Sequence, residues 1–198
     1  MIAGTSLIDL PPDDAHREVV DWVDVPRDVE LVNIAPHAHL LCKEMKVDAQ
    51  LPDGKVENLI WIRDWDFNWQ GEYRYAEPVK LPRGTRIELR YTYDNSAGNP
   101  RNPSNPPKRV TFGEQTTDEM AFVFLLVAVP RLEDRLDFTR AFAASVLNRF
   151  FDGGAPAALM PEQVKKLHVG VKFFDANHNG ILEPEERAAF LRFLKLTP

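Results

Sequence analysis

His37 and His39, separated by one alanine, are the first pair of side chains in the sequence that could bind a metal. Residues i and i+2 of a β-strand lie on the same face, so both imidazoles can reach one ion. The pair alone does not specify a metal site, because His-x-His is a common sequence and two surface histidines are the simpler interpretation. A third ligand would have to come from elsewhere in the chain, and the candidates are His16, Met120 and Cys42.

A second candidate is the twelve-residue stretch from Asp175 to Glu186, which matches the spacing of a calcium-binding loop. Oxygen-bearing side chains stand at loop positions 1, 3, 5, 9 and 12, and a glycine stands at position 6, where such a loop turns sharply. The alternative is a polar loop between helices that matches by chance. We predict calcium ligation by Asp175, Asn177, Asn179, the Ile181 carbonyl group, Glu183 (directly or through water) and a bidentate Glu186.

This loop belongs to the second copy of an internal repeat, in which residue 150 corresponds to residue 173, an offset of 23 residues. Phe150-Phe151-Asp152 returns as Phe173-Phe174-Asp175. The first copy of the loop, Asp152–Gln163, has lost ligands at positions 3, 5 and 12, where it carries Gly154, Pro156 and Gln163. We expect the first copy to be a degenerate EF-hand that pairs with the second copy, because paired EF-hands bury a shared apolar face.

Residues 1–130 have the patterns of a mainly β domain. Apolar and polar residues alternate over 45–51 and 87–93, as expected for half-buried strands, and 56–62 is predicted to be a returning strand. The run from Ala121 to Val129 is apolar at every position and predicts a central strand covered on both faces. Many short strands separated by turn sequences predict an antiparallel β-sandwich.

After Pro130 the apolar residues recur at helical spacing. Three amphipathic helices are predicted, at Leu132–Phe151, Glu162–Phe174 and Glu185–Leu196. We therefore expect two domains, a β domain at residues 1–130 and a helical domain at residues 131–198.

Composition excludes several classes of function. A net charge of −6 and a pI near 5.4 disfavour nucleic acid as a partner, because phosphate contacts need a basic surface. The single cysteine excludes an intrachain disulfide. The longest apolar run has nine residues, too few to span a bilayer, so no transmembrane segment is expected. The first residues lack the basic and apolar regions of a signal peptide, so the chain is either cytoplasmic or a segment of a longer exported protein.

The sequence around the histidine pair resembles a known family. Pro36–His39, followed by Lys43-Glu44-Met45, and the stretch Gly113–Met120 resemble the C-terminal domain of copper type II, ascorbate-dependent monooxygenases. This is the family of the peptidylglycine α-hydroxylating and dopamine β-monooxygenases, and its bacterial branch is the most similar. The resemblance covers residues 9–130 and implies an antiparallel jelly-roll β-sandwich.

The resemblance also implies a copper site and a reaction. Members of the family bind the catalytic copper with an HxH pair and the methionine of a Thr/Ser-x-Asp-Glu-Met sequence, which correspond here to His37, His39 and Met120. Two imidazoles and a thioether form a soft ligand set that suits Cu(I). The implied reaction is activation of dioxygen for C–H hydroxylation. The polar residues that bind peptide in the family are replaced here, so we expect a more apolar substrate near Ala35, Phe122 and Phe124.

Other side chains near these motifs have simpler interpretations. Cys42 follows His39 by three residues, so strict alternation would point it away from the pair, and we expect it to be buried. Four aromatic residues in one stretch are expected to pack in the core of the sandwich: Trp61, Trp65, Phe67 and Trp69.

The leading interpretation is the catalytic-copper domain of a monooxygenase, which is an oxidoreductase, followed by an EF-hand pair. We do not expect this chain to catalyse the reaction alone. The family's second, electron-transferring copper sits on three histidines of another domain, and only His16, His168 and His178 remain here. We therefore expect an electron-donating domain or protein, either a second copper domain or a cytochrome, located upstream or in trans. The substrate is expected to be a small molecule of unknown identity.

Two other interpretations stay open. One is a non-catalytic copper-binding or copper-relay module stabilised by calcium. The other is a calcium-stabilised adhesion or interaction domain in which the histidine pair is vestigial. Because copper and calcium loops both suit an exported protein, we expect a periplasmic or extracellular location.

Overall fold

A computed structural model describes residues 1–154, 159 and 161–196 of the chain. Most of its regular secondary structure is β-strand in antiparallel sheets, which confirms a mainly β protein. The strands are β1 (Ile2–Thr5), β2 (Asp9–Leu10), β3 (Arg17–Asp24), β4 (Val29–His37), β5 (Cys42–Gln50), β6 (Val56–Ile62), β7 (Tyr73–Leu81), β8 (Arg86–Tyr93), β9 (Val110–Thr111) and β10 (Ala121–Ala128). The helices are α1 (Asp134–Phe151), α2 (Pro161–Phe174) and α3 (Pro184–Phe193).

Eight of the strands form two four-stranded sheets. The first sheet has the order β1-β10-β4-β7 and the second has the order β3-β8-β5-β6, with every neighbouring pair antiparallel. The short strands β2 and β9 pair with each other. Buried residues of both four-stranded sheets belong to one continuous apolar cluster, so the sheets pack face to face around a shared core.

Period-2 alternation decides which side chains enter this core. In β5, Met45, Val47 and Ala49 are fully buried, whereas Lys46 and Asp48 between them lie on the outer face and form an ion pair. Residues of β8 on the same inner face continue the apolar layer across the sheet. The alternation over 45–51 and 87–93 therefore places the buried residues of these strands as predicted.

Two tyrosines of β8 connect the sheets. The hydroxyl of Tyr93 donates to the backbone carbonyl of Met120 at 2.6 Å, and the hydroxyl of Tyr91 donates to the carbonyl of Phe122. Complete burial raises the pKa of both phenols, so each stays protonated and able to donate. These bonds fix the start of β10 against the second sheet.

The helices pack around a second, smaller cluster that contains Leu147, Leu182, Phe190 and Leu191. Helix α3 begins at a cap in which the backbone N–H of Glu183 donates to Oε2 of Glu186 at 3.0 Å. Pro184 occupies the first turn, where its missing N–H costs no hydrogen bond. Across the described ranges, no helix has the length and apolarity required to cross a membrane.

The last turn of α1 is attached to β3 by a buried ion pair. The guanidinium of Arg149 pairs with Asp21, whose side chain is only 4% exposed, and also donates to the Trp22 carbonyl. The same guanidinium stacks 4.8 Å from the centroid of the Trp22 ring. Asp21 lies on the inner face of β3 between Val19 and Val23, so its charge needs this partner.

We predict that Arg149→Met lowers the free energy of unfolding by about 3 kcal/mol, because it leaves the Asp21 carboxylate buried and unpaired. The double variant Asp21→Leu/Arg149→Met should regain most of that loss, since it buries no charge. Arg135→Met, at an exposed position of the same helix, is the matched control. Urea unfolding measures all four proteins, and equal stability of Arg149→Met and Arg135→Met would contradict the assignment.

Candidate functional site

The histidine pair lies at the end of β4. His37 is the last residue of the strand and His39 follows it in the connection to β5. The two imidazole centroids are 5.2 Å apart with an interplanar angle of 83°. Ala38 between them is fully buried on the core side. The structure thus brings the two rings together as the i, i+2 spacing predicts, at the end of the strand instead of within it.

Each ring is oriented by an acceptor at its Nδ1 atom. His37 Nδ1 lies 2.6 Å from Oε1 of Gln70, and His39 Nδ1 lies 3.0 Å from the carbonyl oxygen of Asp118. A carbonyl oxygen can only accept, so Nδ1 carries the proton in both rings and Nε2 keeps its lone pair. Both rings are therefore held in the tautomer that can bind a metal through Nε2.

Burial also favours the neutral form of His37, which is the form that binds metals. The pKa of His37 is lowered first by burial and further by the neighbouring His39, whereas the hydrogen bond to Gln70 raises it in part. His39 itself is only 4% exposed.

Met120 directly precedes β10, the strand next to β4. The antiparallel register of β4 and β10 ends with the pair His37 and Phe122, and Met120 stands two residues before Phe122 in the sequence. Met120 packs with Phe122, whose ring centroid is 6.4 Å from that of His37. These side chains form a small cluster apart from the main core.

The other two candidates for a third ligand lie in different surroundings. Cys42 is fully buried in the main core, its Sγ donates to the Glu44 carbonyl, and burial raises the pKa of its thiol. His16 is exposed just before β3, and its backbone N–H donates to Asp14. Of the three candidates, Met120 is the one that clusters with Phe122, whose ring lies beside the His37 ring.

Glu119 is the functional residue that sequence reasoning missed. Its side chain is completely buried, and its Oε1 accepts the Leu41 N–H at 2.6 Å. Its Oε2 accepts the N–H groups of His39 at 2.8 Å and Met120 at 3.2 Å. Burial raises the pKa of Glu119 to about 7, although these N–H donors act in the opposite direction. The signals in the sequence are the place of Glu119 directly before Met120 in the Asp-Glu-Met sequence and the apolar strand that follows.

The aromatic stretch is divided between the core and the surface, so its expected placement in the core is wrong for two residues. Trp65 is buried and donates its indole N–H to the His39 carbonyl at 3.1 Å. Phe67 makes an edge contact with the His39 ring at 5.8 Å. Trp61 and Trp69 are 46% and 77% exposed. The loop between β6 and β7 covers one side of the histidine pair because Trp65, Phe67 and Gln70 all lie in it.

The expectation that both faces of β10 are covered is also wrong. The strand is central in its sheet, but on its outer face Phe124 is 44% exposed and Leu126 is 58% exposed. Phe124 pairs with Ala35, and Phe122 pairs with His37 on the same face. An apolar strip therefore extends from the histidine pair along the outer face of the first sheet.

The predicted calcium loop joins α2 to α3. Asp175 is buried, and its two carboxylate oxygens accept the N–H groups of Asn179 at 3.1 Å and Gly180 at 2.8 Å. Gly180 has a φ of 84°, which a residue with a Cβ rarely adopts. Oε1 of Glu186 accepts the Ala176 N–H at 2.8 Å, so the first and last parts of the loop are joined.

The surroundings of the Glu183 carboxylate are the structural feature most relevant to a bound cation. Its Oε1 accepts from the side-chain amides of Asn179 at 2.7 Å and Asn177 at 3.3 Å. Its Oε2 is buried and has no hydrogen-bond partner among the described residues. The pKa of Glu183 is lowered to about 2 by the Glu186 carboxyl and by these two amides. A buried, ionised oxygen without a donor fits a calcium ligand.

Both candidate sites need ligands other than histidine, cysteine and carboxylates. Within the described ranges, no group of three or more His, Cys, Asp and Glu side chains could hold a metal ion. The first site would need the Met120 thioether, and the second would need amide and backbone oxygens. Of the predicted degenerate loop Asp152–Gln163, residues 155–158 and 160 lie outside the described residues.

Comparison with known proteins finds no matching family model and no matching curated protein. Functional conclusions for this chain therefore depend on the contacts described above and on the sequence motifs.

We predict that Gln70→Leu lowers the pKa of His37 further, because it removes the acceptor that favours the protonated ring. Protonation then costs more in the folded than in the unfolded state, so the variant should lose more stability as the pH falls below 6.5, the ordinary histidine pKa. NMR titration of the imidazole signals measures the shift, with His16 as an internal reference. The matched control is Gln50→Leu in β5, and the same His37 titration in both variants would contradict the contact.

Proposed function

We propose that the β region is the catalytic-copper domain of a monooxygenase, with copper bound by His37, His39 and Met120. The observation that carries the proposal is the arrangement of the two imidazoles, each with Nδ1 held by an acceptor and with no hydrogen bond to Nε2 among the described residues. This arrangement is how proteins orient histidine ligands of metals. Zinc rarely takes a thioether, whereas Cu(I) prefers soft ligands, so Met120 favours copper.

The residues of the chain would orient the ligands and shape the surroundings of the metal. Copper, when bound, would supply the redox chemistry that activates dioxygen for hydroxylation of a C–H bond. Gln70 and the Asp118 carbonyl fix the two rings, and Phe67 and Phe122 shield them on two sides. The resemblance to copper type II monooxygenases, together with the two facing antiparallel sheets, supports a jelly-roll topology for this domain.

The proposed substrate is a small, mostly apolar molecule. Phe122 and Phe124 continue outward from His37 on the outer face of the first sheet, and Ala35 beside them adds no polar group. A molecule with an apolar end could lie on this strip with a C–H bond close to the histidine pair. A peptide would find few polar partners among these three side chains.

The reaction requires an electron donor outside this chain. Hydroxylation of one C–H bond by dioxygen consumes two electrons and two protons and releases one water, whereas one Cu(I) supplies one electron. The remaining histidines lie apart: His16 precedes β3, His168 contacts Phe150 from α2, and His178 lies in the loop before α3. We therefore propose an electron-donating partner, either a second copper domain or a cytochrome, and a periplasmic or extracellular location.

The helical region is proposed to be an EF-hand pair whose second loop binds calcium. Asp175, Asn177, Asn179, the Ile181 carbonyl, Glu183 and Glu186 are the proposed ligands. Support comes from the buried, unpartnered Oε2 of Glu183 and from the turn at Gly180. The first loop is proposed to be a partner without bound metal.

One observation favours the alternative function, a copper-binding or copper-relay module. A cleft of about 1160 Å³ lies between α1 and the edge strands β1 and β3, and its lining does not include His37, His39 or Met120. Enzyme sites usually lie in the large concave pockets of a protein. His37 lies instead at the partly exposed end of β4, which also suits transfer of copper between proteins.

We predict that the reduced protein binds one Cu(I) and that X-ray absorption detects two nitrogen ligands and one sulfur ligand. Met120→Ala should remove the sulfur signal and keep both nitrogens, because Gln70 and Asp118 still orient the two rings. Cys42→Ser is the matched control and should change neither signal. A sulfur signal that survives Met120→Ala and vanishes in Cys42→Ser would identify Cys42 as the ligand and contradict the proposal.

Turnover then distinguishes the enzyme from the binding module. Copper-loaded protein with ascorbate alone should reduce dioxygen slowly to peroxide, without coupled hydroxylation, since the second electron is not delivered at the site. His37→Ala should lose this peroxide release. Equal release by both proteins would favour the binding-module alternative, and coupled multiple-turnover hydroxylation by the isolated chain would contradict the need for a partner.

For the helical region we predict that calcium raises the melting temperature by mass action. Glu186→Gln should remove most of the increase, because it removes a bidentate carboxylate ligand. Glu185→Gln changes an exposed neighbouring glutamate and should keep the increase. Differential scanning calorimetry with and without calcium measures the effect, and an equal increase in all three proteins would exclude the calcium site.

A further inference from the structure

The region between the two proposed copper-binding segments is not held together by strand pairing. The ladder of β4 and β10 ends with the pair His37 and Phe122. Beyond this pair the chain after β4 turns into the connection to β5, and the chain before β10 comes from the loop at 113–119. Met120 and His39 lie on these two unpaired segments, so contacts other than strand pairing must hold them together; one is the hydrogen bond between the His39 ring and the Asp118 carbonyl.

The Glu119 carboxylate makes further contacts of this kind. One oxygen receives N–H bonds from both segments, from His39 at 2.8 Å and from Met120 at 3.2 Å. The other oxygen receives the Leu41 N–H at 2.6 Å. Glu119 and His39 are 80 residues apart in sequence. The Glu119 side chain therefore joins two distant segments where strand pairing does not.

We infer that Glu119 is a positioning residue of the metal site, which holds Met120 beside His39 and so determines whether the thioether can bind the metal. The inference rests on the proposed copper site at His37, His39 and Met120. Glu119 acts through the backbone, since its oxygens accept the N–H groups of the two ligand residues and of Leu41.

The chemistry of the contact requires a carboxylate of this length. Three N–H groups converge on the two oxygens, and a carboxylate can accept all three. A glutamine has the same shape, but its NH₂ group would face an N–H donor and lose at least one bond. An aspartate keeps both oxygens on a stem that is shorter by one methylene, so it cannot reach both segments at the same distances.

Amide hydrogen exchange in the metal-free protein tests the contact itself. In Glu119→Gln, exchange at His39, Leu41 and Met120 should become faster, whereas the amides of the paired strand β8 should keep their protection. Glu114→Gln changes an exposed glutamate of the same loop and is the matched control. Its exchange rates should equal those of the unmodified protein.

Cu(I) binding tests whether this contact positions the Met120 thioether for the metal. Glu119→Gln should keep two nitrogen ligands, lose or lengthen the sulfur contact, and bind Cu(I) about 10- to 100-fold more weakly, as found for residues that orient metal ligands. The double variant Glu119→Gln/Met120→Ala should bind no more weakly than Met120→Ala, because both changes remove the same interaction. Glu119→Asp, which keeps the charge, should give an intermediate loss.

The outcomes separate this inference from the proposed function. An unchanged sulfur signal and affinity in folded Glu119→Gln would overturn the positioning role and leave the copper site intact. Failure of the unmodified protein to bind Cu(I) through Met120 would instead overturn the copper site, and the inference with it. Complete unfolding of both Glu119→Gln and Glu119→Asp would also overturn the inference, because Glu119 would then determine the whole fold instead of the local arrangement.

Discussion

The N–H groups of His39, Leu41 and Met120 all donate to one buried carboxylate, that of Glu119. Burying a carboxylate away from solvent costs free energy, and hydrogen bonds that converge on the carboxylate reduce this cost. The bonds come here from the backbone of the two segments that carry the candidate metal ligands. Burial still raises the pKa of Glu119 to about 7, although the N–H donors act in the opposite direction.

The contacts around Glu119 fix the same two segments from other directions. Tyr93 donates to the Met120 carbonyl, Trp65 donates to the His39 carbonyl, and the Asp118 carbonyl accepts from the His39 ring. Each donor or acceptor lies on a different part of the chain, so the site depends on the correct packing of both sheets. These contacts fix the backbone of both candidate segments, and binding sites gain from such support around their residues.

Some of these features follow from the sequence, because they depend on neighbours along the chain. Alternation identifies the buried residues of β5 and β8, and helical periodicity gives the three helices with ends that differ by three residues or fewer from Asp134–Phe151, Pro161–Phe174 and Pro184–Phe193. The i, i+2 spacing of His37 and His39 predicts that their rings approach each other. All of these patterns repeat over distances shorter than one strand or one helix.

Other features could not be predicted, because they depend on contacts between distant residues. Glu119 lies 80 residues from His39, and Gln70 lies 33 residues from His37, so nothing in the local sequence indicates either hydrogen bond. An all-apolar strand such as β10 does not reveal whether a second layer covers it, and Phe124 and Leu126 are in fact exposed. Likewise, Trp69 has the same residue type as the buried Trp65 but lies on the surface of the loop.

The most direct test of the proposed copper site is diffraction from crystals of the Cu(I)-loaded protein at wavelengths on both sides of the copper absorption edge. The difference in anomalous signal locates copper independently of any assumption about its ligands. We predict one strong peak in contact with Nε2 of His37, Nε2 of His39 and the sulfur of Met120. A strong peak elsewhere, or a peak at the histidines with the Met120 sulfur turned away from it, would contradict the proposed site.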